Sequence, residues 1–166
     1  MEEKNHVFNI PIDQYEKDMD MKLSRGKKKE IRELLTNHNH LHSKNEFNEI
    51  KYKLHEACQK GDLELIEICL SETIENETQD LSFKINKTNK TASLFKINDE
   101  QVENLIVPRT VKYKSDEYLI TSICLIYLFR TMVRTIRFSE DSSVSTIYSN
   151  SFSNSEIEEI YFPKSL

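Results

Sequence analysis

Apolar residues in the first half of the chain recur at the spacing of helices. Residues 13–36 have helix-favouring content, and a second helix is predicted from about residue 44 to 59. Gly61 breaks the pattern, and Asp62 is placed to cap a third helix that runs to about Thr73. The predicted apolar faces consist of Ile31, Leu34, Leu35, Phe47, Ile50, Leu54, Ala57, Leu63, Leu65, Ile66, Ile68, Cys69 and Leu70.

The pattern changes to strand alternation near residue 81. Leu81, Phe83 and Ile85 alternate with polar residues, Ala92 and Leu94 do the same, and residues 86–90 between them are rich in turn formers. The sequence therefore predicts a β-hairpin over residues 81–97. Because an isolated hairpin is marginally stable in water, we expect it to cap the structure that follows.

The strongest pattern in the chain is a 24-residue repeat in its second half. Six apolar pairs coincide at this spacing: Ile120 and Val144, Ile123 and Ile147, Leu128 and Phe152, Val133 and Ile157, Ile136 and Ile160, Phe138 and Phe162. A third trace lies upstream, where residues 106–111 have the form of residues 161–166. The period lies within the leucine-rich-repeat range of roughly 20–29 residues. It suits short strands whose inward residues stack on the next coil.

The repeat resembles a known family. The string from Val144 to Leu166, with Phe152-Ser-Asn-Ser followed by Ile157, Ile160 and a Phe-Pro pair, is similar to BspA-like leucine-rich repeats of the protist type. Ser151-Phe152 stands where that family has Ala-Phe. The resemblance covers residues 105–166 and implies a repeat solenoid. No polar capping segment follows the last strand, so the chain is expected to be truncated from a longer array, or to have its last coil covered by a partner.

The helical half resembles one ankyrin repeat over a short stretch. The matching residues are Leu54-His55-Glu56-Ala57-Cys58, Gly61-Asp62-Leu63-Glu64-Leu65-Ile66 and Leu70. The usual Thr-Pro is replaced by Tyr52-Lys53, and residues 72–75 stand where the family has a Gly-Ala-Asp loop. An unrelated helical hairpin is the alternative. The predicted fold class is thus α+β, with an ankyrin-like helical segment at residues 1–78 and a hairpin plus leucine-rich-repeat segment at 79–166.

Composition and charge narrow the possible functions. The formal net charge of −5 disfavours nucleic-acid binding, and the basic run at residues 27–29 is interpreted as a solvated helix start. Leu119 to Phe129 is apolar but too short to cross a membrane. Within it, Cys124 to Phe129 is either a buried coil or an exposed patch. The first residues lack a signal core, and three scattered cysteines suit a reducing compartment. These features predict a cytoplasmic protein, with a surface location left open.

No constellation in the sequence predicts chemistry. His38, His40 and His42 are the best metal candidates, but no cysteine or carboxylate stands beside them at ligand spacing, so a solvated loop is the preferred interpretation. His55 occupies a position that is structural in ankyrin repeats. Cys124 lies in an apolar run without a neighbouring histidine and is a poor nucleophile. We therefore expect no catalytic, cofactor or metal site, and no small-molecule substrate.

The preferred function is a non-catalytic protein-interaction module of the leucine-rich-repeat type. Its binding surface would be the exposed side of the strands, including Arg134, Arg137, Glu158 and Tyr161 between buried positions. The sequence does not identify the protein partner. The alternative is a structural capping fragment of a longer repeat protein, with no binding of its own.

Overall fold

A computed structural model describes residues 10–19, 22–37, 44–76, 80–126 and 128–166. The chain divides into two compact units, Met1–Ser71 and Glu72–Leu166. In the described ranges the first unit contains helices and the second contains strands, so the fold class is α+β. Residues 72–76 form a strand of the second unit, so the division between the two units lies between residues 71 and 72.

Four helices form the described part of the first unit. They are α1 (Ile12–Asp18), α2 (Arg25–Asn37), α3 (Lys44–Lys60) and α4 (Leu63–Leu70). The helix-favouring stretch at residues 13–36 is thus divided between two helices, since the chain is extended at Met19. Helix α3 confirms the predicted second helix. The apolar faces meet in a core that contains Tyr15, Ile31, Leu35, Phe47, Ile50, Leu54, Ala57, Leu65, Ile66 and Cys69.

The turn between α3 and α4 is fixed by backbone geometry. Gly61 has a φ of +70°, its N–H donates to the carbonyl of Cys58 at 3.3 Å, and the N–H of Asp62 donates to the carbonyl of Ala57 at 3.0 Å. This pair of bonds is the Schellman ending of a helix, which favours glycine. The Asp62 carboxylate then accepts the N–H of Leu65 at 3.0 Å and caps α4, as the sequence predicts.

The predicted end of α4 at Thr73 is wrong. The helix ends at Leu70, Ser71 is extended, and the residues that follow form strand β1 (Glu72–Asn76). The β-branched pair Thr73-Ile74 suits a strand, and Ile74 is buried opposite Phe83 in antiparallel register.

The described strands of the second unit form two sheets. After β1 come β2 (Leu81–Asn86), β3 (Thr91–Ile97), β4 (Asn104–Val107), β5 (Thr110–Tyr113), β6 (Asp116–Ile123), β7 (Thr135–Phe138), β8 (Thr146–Ile147) and β9 (Glu159–Tyr161). A mixed sheet has the order β1-β2-β3-β6-β5, with β8 also paired to β6. A parallel sheet has the order β4-β7-β9. A short 3-10 helix, Leu128–Arg130, lies between β6 and β7.

The predicted hairpin is confirmed as β2 and β3. These strands pair in antiparallel register from Leu81 with Ile97 to Asn86 with Thr91. The hairpin does not stand alone, because β3 also pairs in parallel with β6, a strand of the repeating part. This pairing joins the hairpin to the repeating part, and its role as a cap stays a prediction.

The apolar repeat of the sequence corresponds to the register of parallel strands in the structure. Ile123 of β6 pairs in parallel with Ile147 of β8, and Ile136 of β7 pairs in parallel with Ile160 of β9. Both pairs are among the six that coincide in the sequence repeat, so one period of the sequence corresponds to the step from β6 to β8 and to the step from β7 to β9.

The match of residues 106–111 with residues 161–166 also corresponds to strand pairing in the structure. Ile106 of β4 lies beside Arg137 of β7, and Arg137 lies beside Tyr161 of β9. The alignment of residue 106 with residue 161 is therefore one continuous row across the parallel sheet.

The core of the second unit is filled from both sheets. The apolar segment that begins at Cys124 is buried over its described side chains and is not an exposed patch there, because Leu125, Ile126 and Leu128 are all buried. The core consists of Ile74, Leu81, Phe83, Ile85, Ala92, Leu94, Ile97, Leu105, Val107, Val111, Tyr118, Ile120, Ile123, Leu125, Leu128, Val133, Ile136 and Val144.

The mixed sheet curls so that its first and last strands approach each other. The hydroxyl of Tyr113 on β5 donates to Glu72 Oε1 on β1 at 2.9 Å, and Lys87, in the turn after β2, forms an ion pair with Glu72 Oε2. The hydrogen bond from Lys87 is the largest cause that holds the pKa of Glu72 below its ordinary value.

Replacing Glu72 by glutamine should reduce stability at neutral pH and flatten its dependence on pH. A carboxylate whose pKa is lowered by folding stabilises the fold above its unfolded pKa, which is about 4.3, and loses this contribution as the pH falls through the folded pKa. The effect should be small, because the Glu72 side chain is partly exposed and screened by water. Urea unfolding between neutral and acidic pH measures it. Equal pH profiles for the two proteins would contradict the role given to Glu72.

All three cysteines, Cys58, Cys69 and Cys124, are reduced thiols, and each is buried. Burial raises the pKa of Cys58 to about 12. None should react with a maleimide in the native protein at neutral pH, whereas all three should react in urea.

The raised pKa of Cys58 makes the stability of the fold depend on pH. The stability that the buried neutral thiol contributes is fully present below about pH 8.5, the unfolded pKa, and is lost as the pH rises towards the folded value. A Cys58→Ala variant should lack that alkaline decline, and rapid native labelling would contradict the burial.

In the ranges that the structure describes, we find no helix with the length and apolar character that crossing a membrane requires.

Candidate functional site

The outer face of the parallel sheet is the candidate site. Along each strand, side chains alternate between the core and solvent. Leu105, Ile136 and Ile160 share the inward row. The outward positions are Asn104, Ile106, Thr135, Arg137, Glu159 and Tyr161. Since β4, β7 and β9 are consecutive neighbours, these outward side chains form one surface.

A row of three residues forms the centre of this surface. Ile106 is 58% exposed and Tyr161 is 49% exposed, on either side of the exposed Arg137. The guanidinium carbon of Arg137 lies 4.6 Å from the centre of the Tyr161 ring, within the range of a cation–π contact. The Tyr161 hydroxyl donates to Glu159 Oε2 at 2.7 Å, and this bond is the largest cause that raises the pKa of Tyr161. The exposed ring thus has Arg137 over its face and Glu159 at its hydroxyl.

One charged residue lies just before each strand of the parallel sheet. Arg134 Nη1 lies 2.7 Å from Glu158 Oε1, so β7 and β9 are linked by an ion pair just before their first residues. The N–H of Arg134 donates to the carbonyl of Glu103, and the N–H of Glu158 donates to the carbonyl of Arg134, both at 2.8 Å. The row before the strands therefore reads Glu103, Arg134, Glu158.

The structure brings together the four surface residues that the sequence predicts. Arg134, Arg137, Glu158 and Tyr161 are all exposed and lie on or beside neighbouring strands β7 and β9. Sequence reasoning missed Ile106 as a member of the surface. The signal was present, since the match of residues 106–111 with 161–166 already placed Ile106 in the row of Tyr161.

Two solved structures are similar to part of this chain. One is a leucine-rich repeat protein from Bacteroides ovatus, with a TM-score of 0.44 and 21% sequence identity. The similar region covers 52% of this chain and 23% of the length of that protein. A leucine rich cell surface protein from Faecalibacterium prausnitzii matches 54% of this chain and 30% of its own, with a TM-score of 0.37 and 16% identity. No family model matches the sequence, and no curated protein does. The TM-scores and identities are too low to assign this chain to a family. The functional interpretation therefore rests on the register of the strands.

The sequence offers five other candidate residues, which are His38, His40, His42, His55 and Cys124. His38, His40 and His42 lie outside the described residues. His55, on α3, has its ring centre 6.1 Å from that of Tyr15 in the helical unit. Cys124 is fully buried after β6. Within the described ranges, no three of His, Cys, Asp and Glu come together as metal ligands would.

A shallow groove on the mixed sheet is the second feature with charged residues. Its lining consists of Lys90, Arg109, Thr110, Glu117 and Leu119. Lys90 lies 2.8 Å from an Asp116 carboxylate oxygen, and Arg109 lies 2.7 Å from one of Asp141. Because each cation in the lining already has a carboxylate neighbour, the groove offers little net charge to a ligand.

Proposed function

We propose that this chain is a non-catalytic protein-interaction module that binds its partner through the outer face of the parallel sheet. The carrying observation is the row of Ile106, Arg137 and Tyr161. It combines exposed apolar, aromatic and guanidinium surface, which are the groups enriched at the centres of protein interfaces. A hydrogen-bonded sheet holds these groups at fixed spacing, so little ordering entropy is lost on binding.

The module is best interpreted as a short leucine-rich-repeat solenoid of the BspA-like type. Support comes from two parallel pairs that are separated by the same repeat period, one in each sheet of the second unit. In such coils, one strand of each turn presents outward residues in a row, which is the arrangement seen at residues 106, 137 and 161. The ankyrin-like interpretation of the helical unit is supported by the helix–turn–helix at Gly61.

A selection from a displayed random-peptide library tests the proposal. The native chain should enrich ligands that fail to bind a Tyr161→Ala, Arg137→Glu double variant, because the variant removes the aromatic and reverses the charge of the row. A Lys112→Glu variant, which reverses the charge of an exposed residue on β5, is the matched control and should retain binding. Enriched ligands that bind both variants equally would overturn the proposal, as would repeated failure to enrich any sequence.

The capping alternative rests on one observation. The antiparallel strands β1, β2 and β3 are joined to the repeating part through the parallel pair of β3 with β6, as a cap on a solenoid would be. Under this alternative the sheet face would bind nothing, so the same selection decides between the two.

A further inference from the structure

Strand β9 lies at one edge of the parallel sheet. The order is β4-β7-β9, and in the described part of the chain no strand pairs with the other side of β9. An edge strand presents backbone N–H and C=O groups that can pair with an added strand. The edge is therefore a second place where a partner can bind.

The apolar rows of the sheet are most exposed at this edge. Val107 is 0% exposed, its neighbour Phe138 is half-buried, and Phe162, the equivalent residue one repeat later, is 57% exposed. In the inward row, Ile136 is 1% exposed, whereas Ile160 is half-buried. An added strand with apolar residues at the corresponding positions would cover both rows.

The charges before the strands indicate the sign that such a strand would carry. Glu103, Arg134 and Glu158 alternate across the sheet, and Arg134 forms an ion pair with Glu158. A basic residue beside Glu158 on its open side continues the alternation, and opposite charges on adjacent strands are favourable. A second copy of this chain that added its own β4 would place its Glu103 beside Glu158, which is repulsive.

We infer that the β9 edge binds an extended basic segment of a protein partner. The segment runs parallel to β9, places Lys or Arg beside Glu158, and places apolar residues beside Ile160 and Phe162. This inference rests on the proposed function, and it adds the chemistry of the partner and a mode of binding through the strand edge.

A peptide with the sequence of residues 132–139 is a suitable probe. Within the chain, its Arg134 and Ile136 already lie beside Glu158 and Ile160, and Phe138 is the next residue of the same strand face. With a fluorescent label on the peptide, anisotropy should show saturable binding to the native chain. A Glu158→Lys substitution should raise Kd about tenfold or more, because it replaces attraction by repulsion.

Two variants control for side effects of that substitution. Glu103→Lys makes the same charge change beside β4, at the opposite edge, and should leave Kd unchanged. Arg134→Gln removes the ion pair of Glu158 but keeps its carboxylate, so binding should be retained or strengthened. All three positions are exposed, and circular dichroism checks that each variant is folded.

Backbone pairing is tested separately. A peptide with alternate amide nitrogens methylated keeps its charges and side chains but cannot pair as a strand, and it should not bind. Binding of the unmodified peptide should also slow hydrogen exchange at the amide of Ile160, which faces the open edge, because the N–H of Glu159 already donates to the carbonyl of Arg134 on the β7 side.

Four results would overturn the inference: no binding by the native chain at the solubility limit of the peptide, equal binding by Glu158→Lys, equal binding of the methylated peptide, or a dimer in light scattering that Glu158→Lys dissociates. Failure of this inference can be distinguished from failure of the proposed function. Selected ligands that need Tyr161 but still bind the Glu158→Lys variant would support the sheet face as a binding surface, even if the peptide does not bind the edge.

Discussion

Replacing Ile136 by alanine should destabilise the second unit by about 2–4 kcal/mol. Ile136 is 1% exposed, and it lies between Leu105 and Ile160 in the inward row of the parallel sheet. Removing its side chain leaves a cavity that the flanking strands cannot close without breaking their hydrogen bonds to β7, so the full cost of lost burial remains. Urea unfolding followed by circular dichroism measures the change.

Ile160 supplies the matched control for that experiment. It occupies the equivalent position one repeat later, but it is half-buried at the sheet edge. Ile160→Ala should cost less than about 1.5 kcal/mol, because much of its surface is already in contact with water. Equal losses for the two variants would show that the repeat positions are energetically equivalent and that the edge is covered in solution.

Replacing Gly61 by alanine should destabilise the helical unit by about 1–3 kcal/mol, of which the left-handed backbone accounts for about 1–2 kcal/mol. The φ at this position is +70°, which an L-residue adopts only with strain. A Cβ there would also lie 2.8 Å from Leu23 Cδ2 and 3.2 Å from Lys27 Cγ, so both side chains would have to move. Thermal unfolding followed by circular dichroism gives the change.

Gly26 should respond in the opposite direction to the same substitution. It lies in α2, and the nearest atom to an added Cβ is Ser24 Oγ at 4.0 Å, so there is space for a methyl group. Gly26→Ala should stabilise the protein by up to about 1 kcal/mol, the difference in helix propensity. If Gly61→Ala also stabilised the protein, the left-handed turn between α3 and α4 would not form in solution.

Local patterns predicted most of the fold. The apolar period of the second half gave the register of β8 on β6 and of β9 on β7, because inward residues of stacked strands repeat with the coil. The Gly61-Asp62 pair gave the helical turn, since its requirements are local.

The predictions that failed concern features that depend on which strands pair with each other. The predicted helix extends over the first two residues of β1, and no strand is predicted there, because the single buried apolar residue of this strand, Ile74, gives no alternation to detect. Lys84 alternates with apolar residues and would be expected in solvent, yet it is 2% exposed, with its ammonium 4.9 Å from the centre of the Phe95 ring. Alternation in a sequence identifies one buried face of a strand, but it does not show whether the other is exposed.

The candidate site was predicted in part for the same reason. Alternation placed Arg137 and Tyr161 outward, and this is confirmed. Their contact with each other and the joining of Ile106 to the row depend on which strands are neighbours. The order β4-β7-β9 brings residues from distant parts of the sequence to one face, and no local pattern states that order.

The two steps across the parallel sheet differ in length. The chain from Ile106 to Arg137 is longer than the chain from Arg137 to Tyr161, yet the three residues share one row. The additional length is accommodated between β4 and the end of β6, where β5 folds back on β6 as a hairpin. A coil of this protein can therefore gain a whole hairpin at that corner without shifting the strands on either side. The equivalent corner after β7, around Glu140, is the natural place to insert a foreign sequence or a label.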